Sequence, residues 1–241
     1  MNRIRTLARA VAVASTVAVL GGCATSGGAP ASRVDPLEPL NRAAFAFNEP
    51  LDRDVVKPIV RAYVENVPRP IRQIATNFFG NIEDFFSGVN GMLQNKPDKA
   101  GHDFGRVVVN SLFGLGGLID FASEANIPRS DEDFGQTFGH WGMPAGPYLF
   151  IPLLGPMTAR DGLGYGVRAY LSPILHINDH VVRDVLFGVG YVDVRAKGYE
   201  AQQLVGGAAL DPYTFIRRSY LQRREYLTYD GQPPPRKDED E

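Results

Sequence analysis

Residues 71–92 read IRQIATNFFGNIEDFFSGVNGM. Their apolar side chains recur at 71, 74, 78, 82, 85, 89 and 92, in steps of three and four. That spacing draws one stripe along an α-helix and does not fit the alternation of a strand. Phe79, Phe86 and Leu93 widen the stripe. To either side, Ala100–Phe113 and His180–Val205 also read as helices. Asp35-Pro36-Leu37-Glu38 offers a cap, a proline at the first helical position and an acid at the third. Asp211-Pro212 repeats the device before Tyr213–Tyr226. No run of alternating residues is long enough to found a sheet, and no repeat of solenoid length occurs. The fold class is all-α.

Composition narrows the chemistry. A chain of 241 residues can bury a core without a metal or disulfide staple. Its 25 basic and 27 acidic residues leave it nearly neutral, a poor electrostatic partner for nucleic acid. A single cysteine excludes an internal disulfide and any cysteine-based zinc cluster, and four scattered histidines leave little for another metal site. No resident cofactor or metal is expected.

The N-terminus reads as an address. Arg3, Arg5 and Arg9 precede an apolar run from Ala10 to Leu20, followed by Leu20-Gly21-Gly22-Cys23. This is the order of a secretory signal, and its apolar run is too short to span a bilayer. The only cysteine stands where the lipobox of bacterial lipoproteins would place it. Residues 1–22 are then a removed signal peptide. Cys23 would carry diacylglycerol and an N-acyl chain, enough for durable anchoring where one chain alone is marginal. Residues 23–34 are small and polar, and read as a tether. Residues 35–229 form the body. Residues 230–241, with three consecutive prolines and mixed charge, read as a disordered tail.

Two stretches resist an ordinary soluble core. Val107–Ile119 carries no charge over thirteen residues, and the glycines of Gly114–Gly117 suggest a bend before Asp120. Trp141–Ala159 is uncharged over nineteen residues, but Pro144, Pro147, Pro152 and Pro156 forbid a straight spanning helix. Irregular backbone facing lipid would strand polar groups at several kcal/mol each, ~2–7 by transfer estimates. The segment therefore packs inside the helical body or lines a cavity at membrane depth. Phe45, Phe47, Phe78, Phe79, Phe85 and Phe86 suit a headgroup boundary or a core stripe.

Catalytic patterns are missing. No Gly-x-Ser-x-Gly elbow occurs, and Gly114-Leu115-Gly116-Gly117 lacks the follow-on of a phosphate loop. Asp131-Glu132-Asp133 most simply caps a short helix toward Phe138, and Asp120 caps Phe121–Ala125. Arg160-Asp161 opens or closes a helix, and His140 and His176 read as hydrogen-bonded structural residues. The chain is read as no enzyme.

An ordered series of motifs remains. After the lipobox come DPLEPLNR at 35–42, NSLFGLGGLID at 110–120 and DFGQTFGHWG at 133–142. GPYL at 146–149, LGP at 154–156, Arg160-Asp161, DPY at 211–213 and YLQRR at 220–224 complete it. Together they resemble the VacJ/MlaA family of outer-membrane lipoproteins. The resemblance implies a single ring-like helical domain lying in the inner leaflet of the outer membrane, with a central amphipathic channel. Phospholipid misplaced in the outer leaflet would pass through it to a soluble periplasmic lipid carrier, preserving lipid asymmetry. A trimeric porin is an implied partner, and Ala at position 24, where Asp favours inner-membrane retention, agrees with the outer membrane. The resemblance also places Asn110, Gly114, Leu115, Gly116, Gly117, Leu118 and Asp120 in a flexible hairpin beside the channel, with the glycines as hinges. The alternatives are a lipoprotein that scaffolds porins and a membrane-attached lipid hydrolase.

Overall fold

The computed structural model describes residues 35–205 and 211–234. The signal, Cys23, the tether and residues 235–241 of the tail lie outside the described residues. Helix α1 (Glu38–Leu51) passes through a π-helical turn (Asp52–Val56) into α2 (Lys57–Asn66). Pro50 and Pro58 flank that turn; each lacks the N–H that would close an ordinary helical turn, and the wider turn absorbs the defect. Next come α3 (Arg69–Leu93), α4 (Pro97–Leu112), α5 (Phe121–Glu124) and α6 (Phe134–His140). A β-hairpin, β1 (Tyr148–Ile151) and β2 (Gly155–Thr158), leads to α7 (Ala159–Leu171) and a 3₁₀ turn (Pro173–His176). Helices α8 (His180–Val205) and α9 (Pro212–Thr228) complete the body.

Caps behave much as their residue types dictate. Asp120, Asp133, Thr158 and Asp211 each accept a backbone N–H at the start of a helix, from Ser123, Gln136, Asp161 and Thr214. Arg160-Asp161 therefore stands in the opening turn of α7. The expected cap at Asp35 needs correction, because α1 begins only at Glu38. Asp35 does accept the Leu37 N–H at 3.2 Å, but its carboxylate is committed across the fold to Tyr213 and to Arg217 at 3.0 Å.

The hairpin corrects the expectation of no strand at all. Its register sets Tyr148 opposite Thr158 and Ile151 opposite Gly155. Four-residue strands carrying Pro156 show no alternation to read, and in a two-stranded sheet each strand is an edge where proline is tolerated. Leu153 (φ 68°) and Gly155 (φ 92°) turn the chain between them. The buried Asn41 side chain grips β1, donating to the Tyr148 carbonyl at 2.9 Å and accepting from the Phe150 N–H at 3.0 Å. Tyr148, Phe150 and Tyr213 form a small apolar cluster against Phe45.

Packing closes on itself. Helix α3 packs on α4 and α6, α6 on α7, α7 on the 3₁₀ turn, that turn on α8, and α8 back on α3. Helix α9 covers α6 and β2.

Polarity inside this circuit is inverted. The largest fully buried side chains are Arg106, Gln94, Gln136, Asn41 and Asn90. Met92, Leu112, Phe113, Tyr170, Val181 and Val194, by contrast, are each more than half exposed. Helix α3 shows the inversion within one element. Its stripe is helical as the spacing requires, yet Ile71, Ile74, Phe85 and Met92 face outward. The buried positions are Gly80, Asp84, Ser87, Gly88, Asn90 and Gly91, with Phe86 among them. Small residues let α4 approach: a Cβ on Gly88 would lie 2.9 Å from the Phe104 ring, and one on Gly91 3.1 Å from the Ala100 nitrogen. Close contact through small residues, with polar side chains bonding across helices, is how helices associate where lipid removes the hydrophobic drive. No helix among the described residues is long and apolar enough to cross a membrane.

Candidate functional site

A cavity of about 380 Å³ opens between α3, α6, the hairpin, α7 and α9. Phe86, Phe134, Pro156, Met157 and Tyr165 give it an apolar wall. The opposite wall is ionic. Arg224 on α9 reaches Asp133 at the start of α6 and Asp161 at the start of α7, both at 2.9 Å. Tyr220, one turn before Arg224, donates to Asp161 at 2.7 Å. Burial alone would raise the Asp133 carboxyl, but the guanidinium of Arg224 more than offsets this and holds it below the usual carboxylate range. Burial and the bond to Asp161 push the Tyr220 phenol well up, so it remains a donor. At the rim Arg168 pairs with Glu83 at 2.6 Å and lies 4.0 Å over the Phe86 ring. One apolar wall and one satisfied polar wall is what an amphiphile needs from a host.

The seven residues expected beside a channel stand elsewhere. None of them lines this cavity. Asn110 is buried, donates to Asp120 at 3.0 Å and accepts the Ala122 N–H at 2.9 Å. Asp120 also takes the Arg106 guanidinium at 2.9 Å. Both residues anchor the loop to α4. Gly117 N–H closes onto the Asn110 carbonyl at 2.9 Å, and Gly116 N–H onto Ser111 at 3.1 Å. A Cβ on Gly114 would meet the Ile119 carbonyl at 2.1 Å, and one on Gly117 the Asn81 side chain at 2.6 Å. Those two glycines therefore serve close packing, and Gly116 (φ 73°) alone has open space around it. The Leu118 carbonyl accepts from Asn77 at 3.0 Å. Leu115 stands 71% exposed among Leu112, Phe113 and Ile119, in an outward apolar knob.

Behind the loop lies a polar core that sequence reasoning did not assemble. Arg106, 2% exposed, donates to Asp84 at 3.0 Å, to Asp120 and to the Ile127 carbonyl at 2.7 Å. Ser87 donates to Asp103 at 2.6 Å and accepts the Glu132 N–H at 2.8 Å. Glu132 in turn accepts from Lys96 and Lys99. Asp230, the first residue of the expected tail, completes that pair of lysines at 2.7 and 2.6 Å, so the folded body reaches it. The cavity residues Asp161, Tyr220 and Arg224 stand in the motifs quoted above, but nothing in their spacing pairs them with Asp133. The usable signal was Tyr220 and Arg224 four apart, which share a helix face.

Comparison with known proteins agrees with this architecture. The family model for MlaA lipoprotein matches residues 33–227. The "Intermembrane phospholipid transport system lipoprotein MlaA" of Shigella flexneri is 35% identical over 231 residues, covering 94% of this chain and 91% of that one. The protein of that name from Escherichia coli (strain K12) is 33% identical over 237 residues, with the same shares covered. A solved structure described as "Structural basis for maintenance of bacterial outer membrane lipid asymmetry" superposes with a TM-score of 0.71 at 34% identity. It covers 81% of this chain and 100% of its own.

Proposed function

The chain belongs to the MlaA lipoprotein family, and from that premise we propose that it removes misplaced phospholipid from the outer leaflet of the outer membrane. The observation that carries this is the inverted polarity of the body: ionic and amide side chains within, large apolar side chains without. Such a body sits in hydrocarbon without a spanning helix and offers a polar interior to a headgroup. A bare charge at the centre of a bilayer costs at least ~2.5–3.5 kcal/mol. A lipid headgroup moving past the Arg224–Asp133–Asp161 cluster meets fixed opposite charges, while its tails keep to the wall of Phe86, Phe134 and Met157. No bond is made or broken in this passage. The acylated Cys23 holds the body on the periplasmic face, a trimeric porin steadies it, and a soluble periplasmic carrier receives the lipid through an amphipathic channel.

Deletion of the gene tests the reading. Phospholipid in the outer leaflet rises, and cells become sensitive to detergent with EDTA; restoring the chain reverses both, and Cys23→Ala does not. Unchanged surface lipid in a clean deletion overturns the proposal.

A further inference from the structure

A second pocket, about 270 Å³, opens at the start of α3 between α2 and α8. It is walled by polar groups, unlike the larger cavity. Arg69 and Arg72 stand in the first turn of α3, where exposed helix N–H groups already favour negative charge. Lys197 enters from α8. Against these three cations stands one acid, Asp193, which accepts from Thr76 at 2.6 Å and pairs with Lys197 at 2.9 Å. Arg69 makes no ion pair among the described residues, and Arg72 only donates to the Val67 carbonyl at 3.1 Å. The Tyr63 hydroxyl is buried at the pocket wall without a hydrogen-bond partner among the described residues. A cation excess, an orphaned hydroxyl and a cavity far larger than the ~10–15 Å³ one water needs converge on one place. A neutral ligand would leave both arginines uncompensated.

We propose that this pocket is a phosphate-anion site, in which Arg69 and Arg72 take the phosphate oxygens and Tyr63 donates a further hydrogen bond. Guanidinium suits this task because its planar fork meets phosphate oxygens in pairs. The surroundings fit the phosphate of an amphiphile. Exposed Ile71 and Ile74 on α3 and exposed Val194 on α8 are sequence neighbours of the polar lining, a rim for acyl chains beside the anion. The pocket shares no residue with the larger cavity, so its occupant is held apart from lipid in passage.

The full chain in a nonionic detergent is titrated calorimetrically with inorganic phosphate and with dihexanoyl phosphatidic acid. Wild type binds, and Arg69→Gln/Arg72→Gln weakens binding at least tenfold with an unchanged melting temperature; Tyr63→Phe weakens it severalfold. Much tighter binding of the short-chain lipid assigns the site to a headgroup, whereas equal binding assigns it to free phosphate. Binding of neither probe, or equal binding by wild type and the double variant, overturns the proposal. The titration involves no transport, so its failure leaves the transport function untouched.

Discussion

The backbone nitrogen of Gly135 lies 2.5 Å from where a Cβ on Gly164 would sit, so α6 and α7 meet backbone against backbone. Beneath that contact Asp133 and Asp161, one from each helix start, come within reach of a single guanidinium. Gly164→Ala drives a methyl into main chain, which has no rotamer to yield. Overpacking of this kind costs ~1–3 kcal/mol. Thermal unfolding in detergent is expected to show that loss, together with reduced lipid removal in cells as the polar wall is pried apart. An unchanged melting temperature would mean that the two helices slide freely.

Arg106→Ala leaves Asp84 buried without one of its cations. Breaking a buried pair costs ~3–5 kcal/mol, because the remaining charge has lost its compensation. Arg129 also contacts Asp84, which places the expected loss toward the lower figure. Denaturant unfolding of detergent-solubilised protein measures it. A loss below ~1 kcal/mol would show that water enters this core.

Asp120 supplies a pH dependence with a definite sign. Burial alone would raise its carboxyl; bonds from Ser123 and Asn110 and the charge of Arg106 bring it down to about 2. A carboxyl held below its unfolded value stabilises the fold at neutral pH, and that contribution fades as pH falls from about 4 to about 2. Asp120→Asn should therefore be less stable than wild type at pH 7, with the gap closing across that acid window. Melting curves at stepped pH test this, and a gap constant from pH 7 to pH 2 would refute it.

The rim pair separates stability from transport. Glu83 is largely exposed, and exposed ion pairs contribute ~0–1 kcal/mol. Arg168→Gln should leave the melting temperature nearly unchanged while lowering the rate at which outer-leaflet phospholipid is cleared. Full clearance by this variant would remove the rim from the lipid path.

The loop glycines divide by environment. Gly117→Val collides with Asn81, so folding should suffer strongly. Gly116→Ala meets nothing but adopts a left-handed backbone, at roughly 1–2 kcal/mol. Comparing the two melting temperatures checks the order.

Periodicity made the helices legible, and His180–Val205 has the bounds its pattern suggested. The Asp211-Pro212 cap was equally plain, because a carboxylate before a helix has one local task. Which face of α3 points inward was not legible. An amphipathic stripe states that two sides differ, and the surrounding solvent decides which is outside; here Ile71 and Met92 face out while Asp84 and Ser87 face in. The ionic wall was hidden for another reason. Asp133 and Arg224 are 91 positions apart, and only the closed circuit of helices brings them together. The hairpin escaped because its strands are too short to alternate.

The π-helical turn at Asp52–Val56 acts as a phase shifter in an otherwise continuous rod. One residue fewer there would restore ordinary winding and rotate everything downstream by roughly 100°. Val60, buried on α2, would swing away from its neighbours. Five residues thus set the angular register of α2, a dependence that point substitutions spaced along the rod would never expose, whereas a single-codon deletion would.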